Sequence, residues 1–249
     1  MTTGNTNSTI DQSEVDRFSA MAAEWWNPSG KFRPLHKFNP VRLTYIKQQV
    51  CERFGRDIND PKAFKGLRFL DIGCGGGILA EGLAAKGAQV TAIDMAKGSL
   101  SVAKLHLLES GLDINYIHST AEQLAAKQAE KYDVVCCLEM LEHVPDPSSV
   151  IASCQQLLKP GGQLFLSTIN RNPKAYALAI VGAEYVLQML KKGTHDYKKF
   201  IRPSELASWA RKVGLELHDV TGMSYNPITQ KYSLGRDVDV NYLMYLSRP

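Results

Sequence analysis

LRFLDIGCGGGILAEGLAAKGAQVTAID, residues 67–94, decides the fold. An apolar run (67–72) carrying Asp71 breaks into glycines at 73, 75, 76 and 77; an apolar helical stretch (78–87) follows, then a second apolar run (89–93) closed by Asp94. Glycine adopts positive φ and leaves its backbone bare, so a glycine cluster between a strand and a helix lets a ligand lie against the chain. An acid at the end of the next strand accepts hydrogen bonds from a ribose diol. The pattern therefore predicts the first half of a nucleotide-type α/β fold.

Working outward, apolar runs recur at 114–119, 132–138 and 162–169, separated by helical stretches at 98–111, 120–130 and 148–162. Near-continuous apolar strands alternating with helices require a parallel sheet covered on both faces. A further helix at 203–214 and strands near 215–221 and 240–248 complete a Rossmann-like, doubly wound, mostly parallel seven-stranded sheet. Upstream, residues 1–13 are polar and read as a disordered tail, and 14–26 has helical spacing. Residues 27–40, rich in Pro, Gly and basic residues, read as a loop, and 41–54 as another helix. The expected organisation is one domain over 14–249, with an N-terminal helical region (14–66) and a helical insert or lid (170–202) after the fifth strand.

The composition, 44% hydrophobic and 22% charged, is that of a soluble globular chain, and no stretch approaches the ~20 apolar residues of a membrane span. The N-terminus has no secretory pattern, which places the expected location in the cytoplasm. A net charge of +4 without clustering on one face argues against a nucleic-acid partner. Its local basic concentrations, Lys191–Lys192 and Lys198, Lys199 and Arg202, both flank the insert. Five cysteines (Cys51, Cys74, Cys136, Cys137, Cys154) without CxxC spacing read as free, buried thiols.

Asp71 separates two cofactor classes. A carboxylate just before the glycines repels a pyrophosphate and attracts a cationic sulfonium and its amino group. A nicotinamide fingerprint can be laid on Gly75, Gly77 and Gly82, but this leaves Gly82 inside the helix. The stretch LDIGCGGG (70–77) is similar to the first motif of the class I S-adenosylmethionine-dependent methyltransferases. The resemblance implies that Gly73 and Gly75 lie against the methionine end and that Asp94 holds the ribose. It also implies that Glu122, in TAEQL (120–124), lies near the adenine; KPGG (159–162) is a further family feature.

After the fourth strand comes CLEMLEHVPDP (137–147), at the sheet edge where a transferred group meets its acceptor. On a helical turn Glu139 would lie near Glu142 and His143 at i+3 and i+4. The residues leave several readings open. Glu142 and His143 pair with each other or cap the loop; His143 acts as general base with Glu142 beside it; or Glu139, Glu142 and His143 hold a divalent ion. Pro145 and Pro147 fix the loop.

The chain as a whole resembles a narrower family, the bacterial ubiquinone-biosynthesis O-methyltransferases. FRPLH (32–36), NPVR (39–42), EMLEHVPDP (139–147), TINRN (168–172), GTHD (193–196) and YNPI (225–228) carry the likeness. It implies methylation of phenolic oxygens of polyprenylated ring intermediates at two steps of one pathway. It implies cofactor contacts from Arg42, Gly73, Asp94 and Leu138, the last standing where the family usually has methionine. It implies magnesium at the acidic-histidine cluster, as in eukaryotic relatives; other proteins of ubiquinone biosynthesis are further expected partners.

The stretch 175–190 is apolar and aromatic and is followed by KKGTHDYKKFIRP (191–203). It reads either as a buried helix over the site or as an interfacial segment meeting an anionic lipid surface through 175–202, with peripheral attachment to the cytoplasmic membrane. Trp25, Trp26, Phe32 and Phe38 are expected to form the opposite wall, with Arg42 reaching the cofactor carboxylate. His195 and Asp196, and Tyr225 and Asn226, are weaker substrate-orienting candidates; Glu184 reads as solvent-facing. Three functions compete with the phenol O-methyltransferase: a methyltransferase for another small aromatic acceptor, a nicotinamide oxidoreductase, and a non-catalytic lipid-binding protein.

Overall fold

The structure is a computed structural model and describes residues 10–178 and 196–249. Among the described residues, β1 (Arg68–Ile72), β2 (Gln89–Asp94), β3 (Ile114–His118), β4 (Tyr132–Leu138) and β5 (Leu158–Ile169) alternate with α3 (Ile78–Ala85), α4 (Lys97–Ser110), α5 (Ala121–Ala125) and α6 (Pro147–Leu157). A short turn of helix, α7 (Pro173–Ala175), follows, then α8 (Pro203–Lys212), β6 (Glu216–Asn226), β7 (Lys231–Gly235) and β8 (Asn241–Ser247). The strand order is β3-β2-β1-β4-β5-β8-β6-β7. The strands from β1 to β5 run parallel, and β8 enters antiparallel between β5 and β6. The sequence pattern gives seven of these strands; the eighth, β7, returns from β6 as a hairpin.

Each central strand sends alternate residues to opposite faces. Phe69, Val134, Cys136 and Phe165 pack beneath α3 and α4. Their neighbours Leu70, Val135, Cys137 and Leu164 pack against α6 and α8. Both faces are dry, which is why the strands read as continuous apolar runs rather than alternating ones. All five cysteines are buried and free. No described helix is long and apolar enough to cross a membrane.

The N-terminal region departs from expectation. Ordered chain starts before residue 14: α1 (Gln12–Ala20) is capped by Asp11, whose side chain accepts from the amides of Ser13 and Glu14. Residues 1–9 lie outside the described residues. The anticipated loop at 27–40 gives way to helix at residue 33, because α2 runs unbroken over Arg33–Phe54. Pro34 occupies its first turn, where the missing amide costs nothing. Pro40 sits in its interior and forfeits a backbone bond. Burial of Phe38, Tyr45, Ile46 and Val50 beneath the sheet outweighs that loss.

β1 pairs with β2 on one side and β4 on the other, so the chain's winding reverses at β1. Ligands of open α/β sheets bind at this switch point, outside the carboxyl ends of the strands. Phe165 belongs to the mid-sheet packing that holds these ends in place; it is fully buried and stacked on Tyr245 at 5.2 Å. Phe165→Ala is expected to cost about 3–5 kcal/mol, read as a lower denaturant midpoint with an unchanged slope.

Candidate active site

The carboxyl edge of the sheet opens into a cavity of about 650 Å³. Arg42, Asp71, Gly73, Gly75, Asp94, Glu122, Leu138, Glu139, Glu142 and His143 all line it. Residues scattered over a hundred positions of sequence are thus brought to one place by the reversal at β1.

The glycine loop is shaped from both sides. Gly73, Gly75 and Gly77 have positive φ. Asp94, closing β2, accepts from the amide of Gly75 (2.8 Å) and of Ala96 (2.7 Å), and so sets the loop's curvature. From the other side Trp25 lies flat on the loop: a Cβ on Gly75 would stand 2.3 Å from its indole. That indole stacks on Phe32 at 3.8 Å and donates to Ser99 Oγ. Trp26 donates to the carbonyl of Gly76 (2.8 Å) and stacks on His106.

Asp71 and Arg42 face the same space from β1 and α2. Both are buried, and Asp71 Oδ2 and Arg42 Nε have no hydrogen-bond partner among the described residues. Arg42 donates through Nη2 to Asn39 and lies over the Phe38 ring. Burial lifts the Asp71 carboxyl from its ordinary 3.8 to about 7; Arg42 draws it down and Asp94 pushes it up. A cation and an anion, each short of a partner and side by side at a cavity wall, match the two charges of an amino-acid head group.

The segment after β4 is not the helical turn that its spacing suggested. Glu139 takes φ +55 and only Leu141–His143 forms a 3-10 turn. The Glu139 carboxylate turns into the sheet, accepting from Ser167 Oγ (2.6 Å) with Asn241 at 3.5 Å. Glu142 is buried and accepts from Thr168 Oγ1 (2.8 Å). His143 Nδ1 points elsewhere, 3.3 Å from Glu14. Among the described residues no group of three His, Cys, Asp or Glu side chains is placed to hold a metal. The expected metal set of Glu139, Glu142 and His143 therefore does not fit this arrangement: the left-handed residue splits it. The pairing of Glu142 with His143 is likewise replaced by the bond to Thr168.

Glu122, at the start of α5, faces Ser149. Leu138, at the end of β4, offers apolar surface. Tyr225 lines the cavity beside Tyr232 (ring centroids 4.8 Å apart), whereas Asn226 caps the β6–β7 turn through the amides of Ile228 and Thr229. Asp196 caps the 3-10 turn Tyr197–Lys199 away from the cavity. His195, Glu184 and most of the insert (179–195) lie outside the described residues.

Sequence reasoning missed Glu14, Met223, Tyr232 and Asn241, all of which line the cavity. Tyr232 could not be found without β7, and Glu14 carried no signal beyond that of an acid in a helix's first turn.

A family described as a methyltransferase domain matches residues 42–220. The ubiquinone biosynthesis O-methyltransferase of Stutzerimonas stutzeri is 56% identical over 237 residues, 95% of this chain and 97% of that one. The protein of the same name from Marinobacter nauticus is 57% identical over 241 residues, 96% of each chain. Among solved structures, a SAM-dependent methyltransferase of Thermotoga maritima, a possible histamine N-methyltransferase, is similar at TM-score 0.65 and 17% identity, over 95% of this chain and 100% of that one. Magnesium protoporphyrin IX methyltransferase of Synechocystis with bound SAH gives 0.64 at 18% identity, over 96% and 100%. These two likenesses show the fold.

The buried carboxyl makes a prediction about the ligand-free protein. The folded value of Asp71 stands above its unfolded one, so between about pH 4 and 7 the native state holds a proton that the unfolded chain has released. Stability then falls as pH rises through that window. Glu139, lifted to about 7 by burial and by Glu142, acts in the same direction. Thermal unfolding from about pH 5 to 8 should show a falling midpoint, with a shallower slope in Asp71→Asn; an equal slope in the variant would show that Asp71 is ionised throughout.

Proposed function

Because the chain belongs to the family of ubiquinone biosynthesis O-methyltransferases, we propose that it methylates a phenolic hydroxyl of polyprenylated catechol or quinol intermediates, at two steps of ubiquinone biosynthesis. It is an S-adenosylmethionine-dependent O-methyltransferase. The observation that carries the site assignment is the unpartnered pair at the glycine loop, Asp71 Oδ2 and Arg42 Nε.

In this reading the Arg42 guanidinium takes the carboxylate of the methionine part and Asp71 its positive charge. Gly73 and Gly75 give the close approach, Asp94 takes the ribose hydroxyls, and Glu122 and Leu138 border the adenosine. Desolvation makes each of these charged contacts stronger than it would be in water. When bound, the cofactor supplies an electrophilic methyl group on a sulfonium sulfur.

The chain's remaining task is to orient the phenol and take its proton. His143 lines the cavity with Nδ1 turned to Glu14, which leaves Nε2 for the phenolic proton. Glu142, the residue before His143, is held by Thr168. Tyr225, Tyr232 and Met223 offer an aromatic and apolar wall suited to a substituted ring. The proton transfer is assigned to His143 alone, because among the described residues no three His, Cys, Asp or Glu side chains are grouped to hold a metal ion. The long apolar tail of such a substrate fits peripheral membrane contact through 175–202, where Tyr176 and Leu178 are already exposed.

A mass-resolved assay with S-adenosylmethionine and a catechol bearing a short prenyl chain tests the assignment. His143→Ala should lower kcat by about 100-fold or more while cofactor affinity stays near wild type. Turnover retained in that variant would remove His143 from the chemistry.

A further inference from the structure

We propose that Glu14, on the N-terminal helix, is a positioning residue for the reaction: its carboxylate fixes the His143 imidazole so that Nε2 faces the substrate. The proposal rests on the reading of His143 as the base.

Glu14 Oε2 lies 3.3 Å from His143 Nδ1, and both side chains are only 16% exposed. Both line the cavity. The Phe18 ring, one turn further along α1, meets the imidazole edge-on at 5.3 Å, so carboxylate and ring together restrain it. The same oxygen also meets Arg17 (2.6 Å), the other oxygen meets Lys199 (3.5 Å), and Lys199 reaches the cap residue Asp11 at 3.0 Å.

Burial raises the Glu14 carboxyl, but His143, Arg17 and Lys199 together outweigh it and leave the group below its ordinary value. Oε2 stands at ion-pair distance from Nδ1 without an aligned hydrogen bond in the resting structure, and a carboxylate, which can only accept, draws the ring hydrogen to the nitrogen it faces. Neutral His143 is thereby fixed with hydrogen on Nδ1 and a free lone pair on Nε2, the form that a general base requires. Glu142 cannot take this role, because its carboxylate is bound to Thr168.

The test compares Glu14→Gln, His143→Ala and the double variant of the full chain in the prenylated-catechol assay. Glu14→Gln is expected to lower kcat about 10- to 100-fold with the KM for S-adenosylmethionine nearly unchanged. In the His143→Ala background it should cause no further loss, because its effect runs through the imidazole. Nitrogen-15 NMR should show the His143 ring hydrogen on Nδ1 in the wild type and redistributed toward Nε2 in Glu14→Gln. Wild-type kcat in Glu14→Gln overturns the proposal. So does an equal loss in both backgrounds accompanied by a lower thermal midpoint, which would make Glu14 only an anchor for α1. If His143→Ala itself keeps turnover, the base reading falls and this proposal with it; an inactive His143→Ala beside a fully active Glu14→Gln sinks the Glu14 proposal alone.

Discussion

The site depends on a carboxylate kept out of water with one of its oxygens lacking a donor. Asp71 stands at the end of the central strand, buried, with one oxygen unmatched and Arg42 close by. Removing an unpaired charge from water is costly, and a fold accepts that cost where a ligand of opposite charge repays it. Asp71 cannot move, since β1 is paired on both sides through its register with Ala92 and Cys136. Arg42 is equally fixed by Asn39, whose amide donates to the carbonyl of Ile78 at the head of α3. The two side chains are therefore set in place before any ligand arrives, which reduces the ordering cost of binding.

The glycine loop between them is shaped from both sides. The familiar reason for such glycines is a cofactor's close approach, and here a second applies, because Trp25 lies on Gly75 and Gly76 and leaves no space for a side chain. Trp26 ties the carbonyl of Gly76 to the same N-terminal block. The loop, the indoles and α2 form one packed unit, so the N-terminal residues are a wall of the cavity rather than an appendage to the sheet.

The fold was legible in the sequence because it rests on local, repetitive physics. Strands buried on two faces must be apolar throughout, and Asp71, the glycines and Asp94 mark the edge where they end. Several cavity-lining positions were legible for the same reason: Asp71, Asp94 and Leu138 lie at strand ends, Gly73 and Gly75 follow a strand, and Glu122 opens a helix. What stayed hidden was tertiary. Pro34 and Pro40 read as a loop because helix propensity is a local quantity, whereas the burial that overrides it involves residues far along the chain. The pairing of Glu14 with His143 spans most of the first strand-helix repeats, and no spacing rule connects them. The β7 hairpin is short and half-exposed, without the apolar run that revealed the other strands.

The turn at 139–143 shows how one backbone angle redistributes chemistry. At i+3 and i+4 on a helix, Glu139, Glu142 and His143 would share a face. The left-handed conformation of Glu139, which costs a non-glycine residue about 1–2 kcal/mol, sends its carboxylate back to Ser167 on β5. Glu142 follows into the sheet to Thr168, and the imidazole is left facing outward toward α1. Both acids are thus tied to β5, while the histidine meets a different carboxylate. That carboxylate belongs to the helix whose Val15 and Phe18 also line the cavity. Closure of the cavity and orientation of the imidazole consequently depend on the same helix: a substrate shut away from water beneath α1 is also one that meets His143 with its ring already aligned.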